Sequence, residues 1–450
     1  MQLQSNETQT PRLIQADREH GSSLSSCMDT TPKGNRLHIA IFGRTNVGKS
    51  SLLNYILGQD LAITSPVAGT TTDVVEKAAE LLPLGPVLFL DTAGLDDRSA
   101  LAELRIRKTG GVFNRADVIL LVTEAGRWSR YEEDVLDEAD KKKIPLIAVV
   151  NKIDLESPSD EFMEMIAGKA GRVVALSAAR AEGREAALGL LKRYLIEAAP
   201  EDFMATPALL GDLLPPGGLA LLVVPIDMQA PKGRLILPQV QAIRDALDNN
   251  AAGLVVKEHG VTAMLANLKR LPDLAVCDSQ AVLQVSADVP EEVSCTTFSI
   301  LFARQKGNLA AAAEGAAVIE TLRPGDRLLI AEACSHHPLQ DDIGRVKIPR
   351  WLRQYVGGDL DIDVSAGRDY PEKLERYRLI IHCGGCMLNR REMLNRIQTA
   401  REAGVPVTNY GLAISFTQGV IRRVLSPFPS ALAAYERKRE DLAAGKGRTD

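Results

Sequence analysis

Gly43-Arg44-Thr45-Asn46-Val47-Gly48-Lys49-Ser50 is a complete GxxxxGK[ST] run. It follows the apolar run Leu37–Phe42 and precedes the helical pattern Ser51–Leu57. A strand, a glycine-rich turn and a helix in that order aim backbone N–H groups and a helix N-terminus at phosphate oxygens. Gly43, Asn46, Val47, Gly48, Lys49, Ser50 and Ser51 are the expected phosphate-binding set. Lys49 reaches the terminal phosphates, and the Ser50 hydroxyl can ligate magnesium.

Reading outward, apolar runs at Val87–Leu90, Val118–Val122, Leu146–Val150 and Val173–Leu176 alternate with helical patterns at Ala100–Phe113, Glu132–Lys142 and Glu185–Glu197. That alternation predicts an α/β domain, a parallel sheet with helices on both faces. Each remaining nucleotide motif sits at a strand end. Asp91-Thr92-Ala93-Gly94 puts a carboxylate where it holds magnesium through water and a Gly94 amide where it senses the γ-phosphate. Asn151-Lys152-Ile153-Asp154 puts Asp154 where it accepts both N–H donors of a guanine edge, which adenine does not offer. Ser177-Ala178 closes over the base.

Taken together, these motifs resemble the translation-factor-like GTPases, most closely the branch of the tRNA-modification GTPase TrmE and of Era. Gly69-Thr70-Thr71-Thr72-Asp73 looks like that branch's switch segment. The resemblance implies Thr71 as a magnesium ligand, with Thr70 beside it as the alternative. Leu95 stands where Ras-type GTPases carry a water-orienting Gln. An apolar side chain cannot orient water, so hydrolysis is expected to be slow or otherwise assisted. Asn46 matches the potassium-coordinating Asn of TrmE-like enzymes, which implies potassium in the role of an arginine finger. Glu103 falls where that relative keeps a water-positioning Glu; a solvated helix carboxylate is the other reading.

The chain has 450 residues, 45% of them hydrophobic and 25% charged, enough for about three domains. No run of about 18 apolar residues occurs, so no membrane span is expected. The first residues are polar, without a signal-like apolar core, and a cytoplasmic protein is expected. A net charge of −5 and the lack of an aromatic-plus-basic stretch argue against nucleic-acid binding. Residues 1–35 read as a flexible tail, 36–200 as the nucleotide domain, 205–288 as a smaller α/β domain, 290–425 as a third α/β domain and 426–450 as a charged tail, frayed from about Tyr435. In the middle domain Leu219–Ile226 reads as a strand at an unpaired edge, and Val240, Ile243 and Leu247 as one apolar face of a helix. A block this short buries a sheet poorly, so a homodimer through residues of about 205–285 is expected.

The six cysteines are too sparse for a disulfide framework. Cys27, Cys277 and Cys295 have no partner motif and read as inert. Cys334-Ser335-His336-His337 follows the strand run Arg327–Ala331, and His382-Cys383-Gly384-Gly385-Cys386 follows Leu379–Ile381. Both lie at carboxyl ends of strands, where ligand crevices form. The second group leads towards a helix at about Asn389–Glu402, whose N-terminus favours thiolates. The residues alone leave three readings open: structural zinc on three Cys plus His336 or His382, a redox CxxC, and an iron–sulfur cluster.

This CxH…HCxxC pattern, with 45 residues between His336 and His382, behind a GTPase and a middle α/β block, resembles the HydF family of FeFe-hydrogenase H-cluster maturation GTPases. Thr297-Phe298-Ser299-Ile300-Leu301-Phe302-Ala303-Arg304 also looks like that family. The resemblance implies a 4Fe-4S cluster on Cys334, Cys383 and Cys386, with His336 and His382 as ligands or supporting groups. It further implies a dimer or higher oligomer, two radical-SAM maturases as suppliers of a diiron precursor, and apo FeFe-hydrogenase as recipient. The alternative is a TrmE- or Era-like GTPase with a zinc domain acting on RNA.

Overall fold

The computed structural model describes residues 31–58, 74–92, 110–204, 207–225, 235–333, 342–367, 370–371 and 373–446. Three sheets follow one another along the chain. The first has strand order β2-β3-β1-β4-β5-β6, with β1 Leu37–Phe42, β2 Val75–Leu81, β3 Gly85–Asp91, β4 Val118–Glu124, β5 Leu146–Asn151 and β6 Val173–Ala175. All pairs are parallel except β2 with β3. Alternate β1 residues enter opposite cores. Leu37, Ile39 and Ile41 pack on one face and Ala40 and Phe42 on the other, as a sheet covered on both sides requires.

The second sheet is all parallel, β10-β9-β7-β8, with β7 Leu219–Val223, β8 Ala252–Val256, β9 Leu274–Cys277 and β10 Ser294–Thr297. Three expectations need correction here. The run beginning at Leu219 is a central strand hydrogen-bonded on both sides, because its continuous apolar sequence suits burial on both faces. The edge is β8. The helix Leu237–Asp248 buries Ala242 and Ala246, while Val240 and Leu247 are 43% and 59% exposed. Its small residues make the close approach to the sheet with Ile243 packed beside them, while Val240 and Leu247 face outward; Val255 on β8 is 41% exposed. The second sheet also runs past the expected limit at 288, since β10 completes it.

The helix Phe298–Lys306 then bridges to the third unit. Thr297 caps it by accepting from the Ile300 N–H at 3.2 Å. Asn409 donates to the Ser299 carbonyl at 2.8 Å, tying the two units together. The third sheet is again all parallel, β12-β11-β13-β14, with β11 Arg327–Ala331, β12 Asp361–Ser365, β13 Leu379–His382 and β14 Val407–Asn409. The chain runs outward from β11 to β12 on one side and from β13 to β14 on the other. The carboxyl ends of β11 and β13 are therefore the switch point of the sheet, the place where open α/β sheets bind ligands. The expected frayed tail is instead the helix Pro429–Lys446. It buries Ala431, Ala434 and Tyr435, a stripe at helical spacing that the surrounding charges obscure. Among the described residues no helix is long and apolar enough to cross a membrane.

Candidate functional site

The nucleotide site is built on the carboxyl ends of β1, β3 and β5. Gly48 adopts φ 96°, and a Cβ there would meet the Asn151 side chain at 2.3 Å, so only glycine fits. The helix Lys49–Leu57 starts directly after it. Lys49 Nζ donates to the Gly43 carbonyl and, at 2.9 Å, to that of Arg44, which holds the loop curved around the ammonium. The Ser50 hydroxyl donates to Asp91 at 3.3 Å, so the two expected magnesium-side groups are adjacent.

Asn151 joins the base side of the site to the phosphate side. Its Nδ2 donates to the Val47 carbonyl at 3.0 Å, and its Oδ1 accepts from the Ala178 N–H at 2.9 Å. Lys152 donates to the Asn46 carbonyl at 2.6 Å and pairs with Glu124 at 2.5 Å. Asp154 accepts from the Ser177 hydroxyl at 2.6 Å, and that bond holds its carboxyl below the usual range. Its other oxygen lies 3.7 Å from exposed Arg180, and an ionised carboxylate held this way suits a donor pair on a base edge. The P-loop is further anchored by Arg44 on buried Glu132 at 2.7 Å, a contact with no signal in the motif. Thr70, Thr71, Gly94, Leu95 and Glu103 lie outside the described residues.

The second site sits at the switch point of the third sheet. Cys383 follows β13 directly, and its Sγ accepts from the Ala333 N–H at 3.1 Å. Ala333 is the residue before Cys334, so the chain just beyond β11 touches the first residue after the adjacent strand β13. Gly385 turns the loop at φ 63°, where a Cβ would meet Met393 at 2.4 Å. Burial pushes the Cys386 thiol up, while Lys306 acts to lower it. Cys334 and His336 lie outside the described residues. Among the described residues no three His, Cys, Asp or Glu side chains gather as a metal site. His382 is buried and faces Tyr370, whose hydroxyl lies 3.3 Å from Nε2. Burial pulls its imidazole down to about 3, so it is neutral. Cys277 and Cys295 are buried in the second unit, away from this loop.

Two residues that the motifs did not mark define the surroundings. Lys306, at the end of the bridging helix, is 3% exposed and donates to the carbonyls of Gly385, Cys386 and Leu388 at 3.4, 3.1 and 2.9 Å. Burial pulls its ammonium down to about 8, against the opposing pull of the two thiols. Asn389 caps the helix Arg390–Glu402 by accepting from the Glu392 N–H at 3.1 Å. Its amide also crosses to the first unit, donating to the Arg115 carbonyl at 2.9 Å and to Asp117 at 3.2 Å. Asp117 in turn accepts from the His38 N–H at 2.9 Å, at the start of β1. Burial pushes the Asp117 carboxyl up to about 6. The cysteine loop is thus bonded to one end of β1 and the P-loop grows from the other, on the order of 20 Å away at 3.3 Å per residue.

Three family descriptions match this chain: a 50S ribosome-binding GTPase over residues 38–152, the hydrogen maturase F dimerization domain over 209–307, and the hydrogen maturase F tetramerization domain over 310–427. The tRNA modification GTPase MnmE of Azoarcus sp. is 37% identical over 188 residues, 40% of this chain and 39% of that protein. GTPase Der of Nitratiruptor sp. is 37% identical over 133 residues, 29% of each chain. The chain thus spans about a third of the length of the curated relatives it matches. Among solved structures, the G domain of the T. maritima FeoB iron transporter is 22% identical, covering 36% of this chain and 98% of that one at a TM-score of 0.29.

Proposed function

The chain belongs to the hydrogen maturase F family, and we propose that it is a GTP-driven carrier that binds a 4Fe-4S cluster and delivers the diiron precursor of the H-cluster to apo FeFe-hydrogenase. The first unit is a GTPase domain, and GTP with magnesium is its nucleotide. Hydrolysis is the switch rather than the chemistry of cluster building. Lys49 clamps the terminal phosphates, Ser50, Thr71 and Asp91 surround the metal, and Asp154 selects guanine. Potassium at Asn46 and a water positioned by Glu103 compensate for Leu95.

The observation that carries the cluster reading is the placing of Cys383 and Cys386 at the switch point of the hydrogen maturase F tetramerization domain. The residues there suit an anionic group. A backbone N–H points at one sulfur, and a buried ammonium lies beneath the loop. Cys334, Cys383 and Cys386 would hold the cluster, with His336 and His382 nearby. Bound there, it supplies an iron–sulfur attachment point for the precursor. His382, neutral and held by Tyr370, supports the loop better than it ligates. The Asn389–Asp117 contact supports a link between nucleotide state and the cysteine loop.

Dimerization through the second unit fits its exposed β8 edge and the outward Val240, Leu247 and Val255. Reduced thiols suit a cytoplasmic setting. The test is transfer. Protein incubated with two radical-SAM maturases and then added to apo FeFe-hydrogenase should produce hydrogen evolution. Protein that carries its cluster yet never activates the hydrogenase in that assay would refute the carrier role.

Base selection gives a further prediction. In Asp154→Asn the amide oxygen still accepts from Ser177, which turns the NH2 towards the base and against guanine's own donors. A lost hydrogen bond to a charged group is worth about 1.5–3 kcal/mol, so GTP should bind at least about tenfold more weakly. Xanthosine triphosphate should gain by a similar factor. Titration of both nucleotides by calorimetry measures the switch, and unchanged GTP affinity would remove Asp154 from the base site.

A further inference from the structure

Buried ammonium groups are costly unless an anion compensates them. Lys306 is 3% exposed, yet no carboxylate pairs with it among the described residues. Its partners are three carbonyl oxygens of one loop and the ring of Phe302, 5.5 Å away. Carbonyl dipoles satisfy its hydrogen bonds but leave its charge unneutralised. All three carbonyls belong to the segment that carries Cys386, and two of them flank or include that residue.

We infer that Lys306 is the buried counter-charge of an anionic metal–thiolate group on the Cys383–Cys386 loop, holding the loop by its carbonyls and stabilising the more negative, reduced state of the cluster. This assignment rests on the cluster reading above. It makes Lys306 a positioning residue, since it reaches backbone oxygens and not the iron. Three thiolates with a 4Fe-4S core carry net negative charge, and one-electron reduction by an external reductant adds to it without moving a proton. A fixed positive charge in a poorly screened interior favours the reduced form. It also explains why a helix from the neighbouring unit ends on a lysine beneath this loop.

Lys306→Gln separates charge from hydrogen bonding, because its amide still donates to the carbonyls. Lys306→Arg keeps the charge. Wild type and both variants are reconstituted anaerobically with iron and sulfide, and each is titrated with dithionite under EPR. The cluster of Lys306→Gln should have a more negative midpoint potential and should lose iron to a chelator at least about tenfold faster. Lys306→Arg should keep the wild-type potential, and GTP hydrolysis should be the same in all three. Wild-type potential and wild-type iron loss in Lys306→Gln would overturn the assignment. If Lys306→Gln does not fold, Lys306→Arg is read alone, and a more negative potential or faster iron loss in that charge-keeping variant would overturn the assignment. Wild-type protein that takes up no iron and sulfide overturns the cluster reading, and this inference with it.

Discussion

Lys49→Ala should lower GTP hydrolysis by at least about 100-fold, since it removes the ammonium seated inside the phosphate loop. The ammonium now bridges the carbonyls of Gly43 and Arg44 across the loop. Phosphate oxygens would take over from those carbonyls, so the residue is positioned before nucleotide arrives. Phosphate release in potassium and in sodium buffers at equal ionic strength measures the effect. The wild type should be faster in potassium, through Asn46, and Lys49→Ala slow in both. Because the loop keeps its Gly48 turn and Asn151 brace, the variant should remain folded. Hydrolysis at the wild-type rate would remove this loop from the reaction.

Cys383→Ala should bring reconstituted iron to less than about a tenth of the wild-type amount, because a cluster with two thiolates lacks the ligands to stay bound. GTP hydrolysis should persist, since the nucleotide site is made within the first unit. The sulfur also accepts the Ala333 N–H, so the variant loses that bond between the ends of β11 and β13 as well. Iron and sulfide analysis together with turnover on the same preparation separates the two effects. Loss of both would point to misfolding. Full iron with an unchanged EPR signal would remove Cys383 from the ligand set.

Much of this was legible because the signals are local. Gly43 to Ser50, Asp91, Asn151 to Asp154 and Ser177-Ala178 are short motifs whose strand and helix context the apolar periodicity supplies. The structure describes those of them it covers at strand ends around one loop. What escaped depends on long-range placement. β2 is an edge strand with three charged residues in seven, and β12 is five residues with two aspartates, so neither stands out as an apolar run. The run Leu219–Ile226 reads as an edge because sequence shows that a strand is apolar but not how many neighbours it has. Lys306 is one of many lysines until the fold seats it beneath carbonyls about 80 residues away. Asn389 reads only as a helix cap, and its bond to Asp117 spans 272 residues.

The central claim is that one chain joins a GTPase to an iron–sulfur site at the switch point of its third sheet. Low-temperature EPR of the full chain, reconstituted anaerobically and reduced with dithionite, tests it most directly. The protein should give the signal of a reduced 4Fe-4S cluster, with iron and sulfide in equal amounts, and should still hydrolyse GTP. A colourless, EPR-silent protein carrying stoichiometric zinc would contradict it.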